Sequence, residues 1–321
     1  MIARRHHYVP QCYLNAFAVT HKRRQKPHLL AFDAIEAKCF RVPPDKVALE
    51  TDFNTINLEG HPPDAFEQAL ASVENDIGPA LARIVERKSL ANAQDREQLL
   101  TLIALLYTRN PRFREINRAL HEAGAKQVAS VALSSRGRWD AEMKRAQAAG
   151  AITTDAVVDY DTVKQSYEPE TLKLRLANEA QIMTELQAFE HVLTALSERK
   201  WMLVKAPEGS PGFVTCDHPV SLIGPAGQRA FGLKTPGTRI FFPLTPGLAV
   251  VGTLEGKDSE ADFTENEVAS ANGTTVLNAQ RQVYAKTGDF LYQIDLQNPR
   301  DAAALVTDEN YLRPAKPQLV K

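Results

Sequence analysis

"WMLVKAPEGSPGFVTCDHPVSLIG", residues 201–224, decides the fold class. Upstream of it apolar residues recur at three- and four-residue steps; within it they fall into short β-type runs separated by Gly and Pro. The same pattern continues in "RIFFPL" (239–244), "LAVVGTL" (248–254), "QVYAK" (282–286) and "FLYQID" (290–295). One helix, over 264–278, interrupts these strands. Upstream, "DAFEQALASVENDIGPALARIVERK" (64–88) places Phe66, Leu70, Val73, Ile77, Leu81 and Ile84 on one helical face, with Gly78-Pro79 expected to kink or split it. A second helix is expected over 93–108 behind an Asn92 N-cap. A third, over 111–135, follows Asn110-Pro111. A short helix over 139–149 and a long one over 169–200 complete the middle of the chain.

Residues 28–42 read as two strands about a turn, and 42–64 as a turn-rich loop with one strand. The last ~20 residues read as a loosely held tail. The pattern predicts an α+β protein: a helical middle region packed on a β-rich C-terminal part, with the N-terminal motif closing the seam. The segments 1–60, 61–200, 201–295 and 296–321 are expected to intertwine in one globular unit.

Of the 321 residues 44% are hydrophobic and 24% charged, the composition of a chain with a real core. The net charge of −1 advertises neither nucleic acid nor an anionic membrane. No apolar run is long enough to span a bilayer, and none follows the basic N-terminus as a signal peptide requires. Cys12, Cys39 and Cys216 have no paired spacing, which argues against a disulfide framework. A cytoplasmic protein with no membrane partner is expected.

The N-terminus, "RRHHYVPQCYLNAF" (4–17), carries unusual chemistry for a chain end. Val9, Tyr13, Leu14 and Phe17 form one apolar stripe on a short helix beginning at Pro10. One reading makes this a docking plug. The other delivers His7 into a cleft as a general acid/base, with Gln11 and Tyr13 beside it and His6 in solvent.

The stretches "HHYVPQCYLNAF" (6–17), "YTRNPRFR" (107–114), residues 201–220, "FFPLTP" (241–246) and "NGTTVLNAQRQVYA" (272–285) occur in that order. Together they resemble the bacterial domain-of-unknown-function family 4238. Its members open with an H-[FY]-V-P-x-x-Y-L-x-x-F string and later run a strand into a T/S-S-D-[NH]-P-[VI] turn. The resemblance covers about residues 5–290. It departs at Cys12, where an aromatic is usual, and at Cys216 and His218, where Ser and Asn are commoner. It implies organisation and no activity.

Three further residues stand out. Arg109 projects onto the apolar face of its helix with Leu102, Leu105 and Leu106, and a buried guanidinium needs a carboxylate or a ligand anion. Glu67 and Glu74, flanking the apolar face of the 64–88 helix, are the candidate internal partners. Asp217 sits at a strand tip before His218-Pro219, where it either orients a catalytic group or closes an Asx-turn. On the long helix Leu172, Met183, Leu186 and Leu193 mark an expected buried face, and Glu179 and Glu190 project close to it. Glu179 either pairs with Arg175 or reaches the space where Arg109 points.

Arg114 and His121 match the Arg-x6-His spacing of HEPN-type ribonucleases, but they project opposite Phe113, Ile116, Leu120 and Ala123 and read as a solvated face. His6, His7, Asp217 and His218 lack the spacing that makes a metal site specific. No phosphate-binding loop, dinucleotide-binding turn or nucleophile elbow occurs, which leaves any cofactor open.

Three functions remain open on this reading. The first is a small hydrolase acting on a phosphodiester or nucleotide, with His7 and Asp217 catalytic and Gln11, Tyr13, Arg109 and Glu179 binding the anion. The second is a non-catalytic sensor of an anionic ligand in the same pocket. The third is a partner-binding module of a bacterial defence or stress system.

Overall fold

The structure, a computed structural model, describes residues 4–20, 26–153, 158–171, 173–294 and 298–312. It divides into two compact units: Met1–Pro111 with Asn178–Lys321, and Arg112–Ala177.

The larger unit opens with β1 (Arg5–His7) and a single turn of helix, α1 (Gln11–Leu14). β2 (Leu29–Asp33), β3 (Lys38–Val42) and β4 (Leu49–Thr51) follow. Two helices come next, α2 (Ala65–Arg87) and α3 (Ala93–Thr108). α2 runs unbroken through Pro79: the one amide bond lost there is outweighed by the packing of Ile77, Ala80 and Ile84 on either side of it. Asn92 caps α3 as expected, its side chain accepting from the Asp95 amide at 2.9 Å.

The smaller unit is helical. It comprises most of α4 (Pro111–Ala132) with α5 (Arg136–Ala148) and α6 (Tyr160–Ser166). Its small core joins Ala132, Leu133, Trp139 and Tyr160. Arg114 is buried and Ile116 and Leu120 are exposed, the reverse of what was expected for these three. His121 is exposed, its Nδ1 2.8 Å from the Asn117 carbonyl.

The larger unit resumes with α7 (Asn178–Ser197), which starts nine residues later than the expected helix. Leu172 lies outside the described residues. Met183 and Leu186 are exposed, and the buried face runs instead through Ile182, Glu185, Val192, Ala195 and Leu196. The strands β5 (Lys200–Lys205), β6 (Thr215–Cys216), β7 (Ser221–Ile223), β8 (Arg239–Thr245), β9 (Leu248–Thr253) and β10 (Ser259–Asp262) lead to α8 (Glu265–Asn278). β10 is a strand the hydropathy pattern did not mark. Thr264 and Glu267 form a reciprocal capping box at the start of α8. β11 (Gln282–Ala285), β12 (Leu291–Tyr292), β13 (Arg300–Asp301) and α9 (Glu309–Leu312) close the unit. The tail is packed rather than loose as far as it is described: Leu305 and Tyr311 are buried.

A five-stranded sheet, β10-β5-β9-β8-β7, and a four-stranded sheet, β3-β2-β11-β6, organise this unit. Strand alternation gives each sheet two apolar faces. Trp201, Leu203, Ile240, Phe242 and Val250 meet residues of α1, α2, α3 and α7, while Val204, Phe241 and Ala249 meet Val268 of α8. Phe32, Cys216 and Val283 of the four-stranded sheet pack with Val276 from the other end of α8. The fold is α+β.

Candidate functional site

The two histidines of the N-terminal motif lie on β1, which pairs antiparallel with β4, His6 opposite Glu50 and His7 opposite Leu49. Ala48 and Asp52, at either end of β4, both have positive φ (50° and 56°). Non-glycine residues adopt that conformation at a cost, held there by their surroundings. Asp52 is fixed by its amide to the Arg4 carbonyl and by an Arg4 ion pair, and the Ala48 carbonyl accepts from the Tyr8 amide at 3.0 Å.

The pleat sends successive side chains to opposite sides. His6 is only 1% exposed, and its Nδ1 accepts from the Asn54 amide at 2.9 Å. The histidine expected in solvent is therefore the buried one. His7 is half-buried, with its Nε2 3.0 Å from Nε2 of the exposed Gln11, one helical turn on. With the Gln11 amide donating, the ring proton sits on Nδ1, a buried atom that faces the Val47 carbonyl without a well-aligned hydrogen bond. Burial lowers the His7 pKa below the usual imidazole value; Glu67, the Val47 carbonyl and Asp45 oppose that shift, and Arg109 adds to it.

Two carboxylates on α2 face this corner. Glu67 accepts from Asn54 Nδ2 at 2.5 Å. Glu74 stands 3.7 Å from Nη2 of Arg109, and that same nitrogen donates to the His7 carbonyl at 3.2 Å. Burial pushes the Glu74 carboxyl above its usual range, against the pull of Arg109. Arg109 is 3% exposed but does not project from a helix face: α3 ends at Thr108, and Arg109 follows with φ −103° and ψ 74°. Cys12 is half-buried, and burial, with Glu74 adding to it, pushes its thiol up to about 11, so it stays protonated at neutral pH.

The remaining candidates have other structural partners. Asp217 accepts the amides of Gln280, Arg281 and Gln282 at 2.8, 2.7 and 2.9 Å, which clamps the approach to β11. No hydrogen bond or ion pair joins it to His7. The side chain of the N-terminal motif on which the Asp217 charge acts is Tyr8, whose hydroxyl pKa it helps raise after burial. Tyr13 is fully buried, its hydroxyl between Thr215 Oγ1 and the Pro243 carbonyl, which corrects its expected place beside a ligand. Glu179 accepts the Asn57 amide at 2.6 Å, and the neighbouring Asn178 donates to the carbonyls of Asp52, Phe53 and Thr55. The first turn of α7 thus pins the loop that presents Asn54.

The structure gathers His7, Gln11, Arg109, Glu67 and Glu74, and leaves Tyr13, Asp217 and Glu179 in structural bonds. Asp45, Val47 and Asn54 were not legible beforehand. They lie in the turn-rich segment 42–64, where no periodicity marks which side chain points inward. Among the described residues no group of three or more His, Cys, Asp or Glu side chains is disposed to hold a metal ion, and no helix is long and apolar enough to cross a membrane.

A cleft of about 580 Å³ opens where the end of α2 meets the turns after β5 and β8, lined in part by Lys88, Glu208, Ser210, Lys286 and Asp289. Gly212, which follows the lining residue Pro211, has φ +76°, and a Cβ there would lie 1.9 Å from the Pro246 carbonyl oxygen. None of its lining residues belongs to the His7 group.

The protein family described as "Protein of unknown function (DUF4238)" matches residues 5–289. No curated protein and no solved structure matches the chain.

Proposed function

Because the chain belongs to the DUF4238 family, whose description assigns no activity, we propose its function from the geometry: a small hydrolytic site with His7 as general acid/base. The observation that carries this reading is the state of the His7 ring. It is half-buried, its pKa is lowered so that it is neutral near pH 7, and its Nε2 is held at the rim by an exposed amide. A bound water or hydroxyl that displaces Gln11 meets a free lone pair within hydrogen-bond reach. His7 takes the proton as the oxygen attacks and returns it to the leaving group, while Glu67 stabilises the imidazolium in between.

Arg109 does not serve as an anion holder in this reading. Its charge already faces Glu74, and it is nearly inaccessible. A phosphodiester is therefore a poorer substrate here than a neutral ester or amide. The test is turnover of phosphodiester, carboxylic ester and amide substrates by the wild type and by His7→Gln. The expected result is ester or amide turnover, reduced roughly 100-fold or more in the variant. No turnover in any class, or turnover that survives the substitution, overturns the reading.

The cleft between Lys88 and Lys286 favours a second reading, a sensor of an anionic ligand, since among the described residues no hydrogen bond or ion pair engages either ammonium. Saturable stabilisation by a dicarboxylate that Lys88→Ala abolishes is its expected signature; no response to the dicarboxylate rejects it.

A further inference from the structure

We propose that the His7 site binds a primary ammonium group, and that the substrate acted on there carries one. This rests on the His7 reading above and names its substrate class. Among the described residues the charge balance of the corner leaves one carboxylate, Glu67, with no ion pair. Arg109 faces Glu74 at 3.7 Å, and the exposed Lys46 touches Asp45 at 3.7 Å. Glu67 is half-buried, and its hydrogen-bond partner is a neutral amide, Asn54 Nδ2. A carboxylate so placed favours an incoming positive charge and repels an anion.

The acceptors of the corner point the same way. Asn54 is fully buried, yet its Oδ1 has no hydrogen-bond partner, and neither has the buried Oδ1 of Asp45. Buried acceptors without donors are rare in native proteins, and a donor that reaches these two is favoured. An ammonium brings three donors, no acceptor and a compact charge, matching a carboxylate and an unfilled amide oxygen. A divalent metal fits less well, because it needs several oxygen ligands and the described residues offer no such cluster. Phosphate would place its charge against Glu67 and would have to separate Arg109 from Glu74.

The experiment follows the His7 ring resonance, assigned with His7→Gln, as the protein is titrated with propylammonium chloride, sodium phosphate or sodium chloride at matched ionic strength. Propylammonium is expected to shift the resonance saturably, phosphate no more than sodium chloride does, and Glu67→Gln is expected to weaken the response roughly tenfold. If Glu67→Gln does not fold, Asn54→Asp, which adds a carboxylate at the same place, is expected to tighten binding. No saturable shift with propylammonium, an equal response to phosphate, or a response unchanged in Glu67→Gln or in a folded Asn54→Asp overturns the proposal. The pH titration of the same resonance and the turnover assay judge the acid/base reading separately, so a catalytic His7 indifferent to amines rejects this inference alone.

Discussion

The hydroxyl of Tyr13 lies 2.7 Å from Thr215 Oγ1 and donates to the Pro243 carbonyl at 2.8 Å, while its ring stacks on Phe242 with centroids 5.0 Å apart. Thr215 stands two residues before Asp217. The two halves of the motif pattern are thus fastened together by a core tyrosine rather than by a catalytic pair.

Tyr13→Phe keeps the stacked ring and strands the Pro243 carbonyl and the Thr215 hydroxyl. The expected cost is about 1–3 kcal/mol in urea unfolding. Removing residues 1–17 strips Val9, Tyr13, Leu14 and Phe17 from the core, at about 1.5–3 kcal/mol each, and should abolish cooperative unfolding. A truncated chain that melts like the full one contradicts the plug role.

Asp217→Asn replaces a charged acceptor of three amides with a single neutral oxygen. A loss of about 2–3 kcal/mol is expected, with no selective effect on turnover. Combined with His7→Ala the effects on stability should add within about 0.5 kcal/mol, because Asp217 is engaged by the amides of 280–282 and His7 by Gln11. A strongly non-additive double-mutant cycle would restore the idea that they form one site.

Arg109→Met leaves Glu74 without its counter-charge and the His7 carbonyl without a donor. About 3 kcal/mol of stability should be lost, part of it regained on adding Glu74→Gln. Phosphate is not expected to raise the melting temperature through Arg109; stabilisation by phosphate that vanishes in Arg109→Met would reassign this arginine to a ligand.

His7 and Glu74 have pH dependences of opposite sign. The His7 pKa is lower in the fold than its unfolded value of about 6.5, so the unfolded chain binds the proton more readily. Its contribution falls as pH drops through the unfolded value and levels off below the folded one. The Glu74 pKa is raised, so its protonation favours the fold as pH falls through its folded value. Between pH 7.5 and 5.5 the wild type should therefore lose more thermal stability than His7→Gln, while Glu74→Gln should lack a gain the wild type shows at lower pH. Parallel melting curves for wild type and His7→Gln would show that the ring is not held neutral.

Much of the fold was legible before any contact was known. Short β-type apolar runs mark β5, β8 and β9, the Asn92 cap and the 264–278 periodicity locate α3 and α8, and the stripe Val9, Tyr13, Leu14 and Phe17 foretells a buried N-terminus. These features depend on neighbours within a few residues, where local sterics and capping act. Even the Arg109–Glu74 pairing could be posed, because a buried guanidinium must be answered by some carboxylate.

Which neighbour answers, and which face of an element is covered, was decided elsewhere. Pairing of β1 with β4 sets the phase that buries His6 against Asn54 and turns His7 toward Gln11, a one-residue choice that the string "HH" leaves open. Asp217 binds amides 63 to 65 residues away, and Glu67 meets an amide from a loop that Asn178 holds from the start of α7. The amino-acid sequence by itself determined the α+β class, most of the elements and the apolar plug, since periodicity and capping are local properties. Only the tertiary structure decided the composition of the His7 corner, because polar partners are chosen by long-range packing: each buried donor or acceptor must be met by whatever the fold brings beside it.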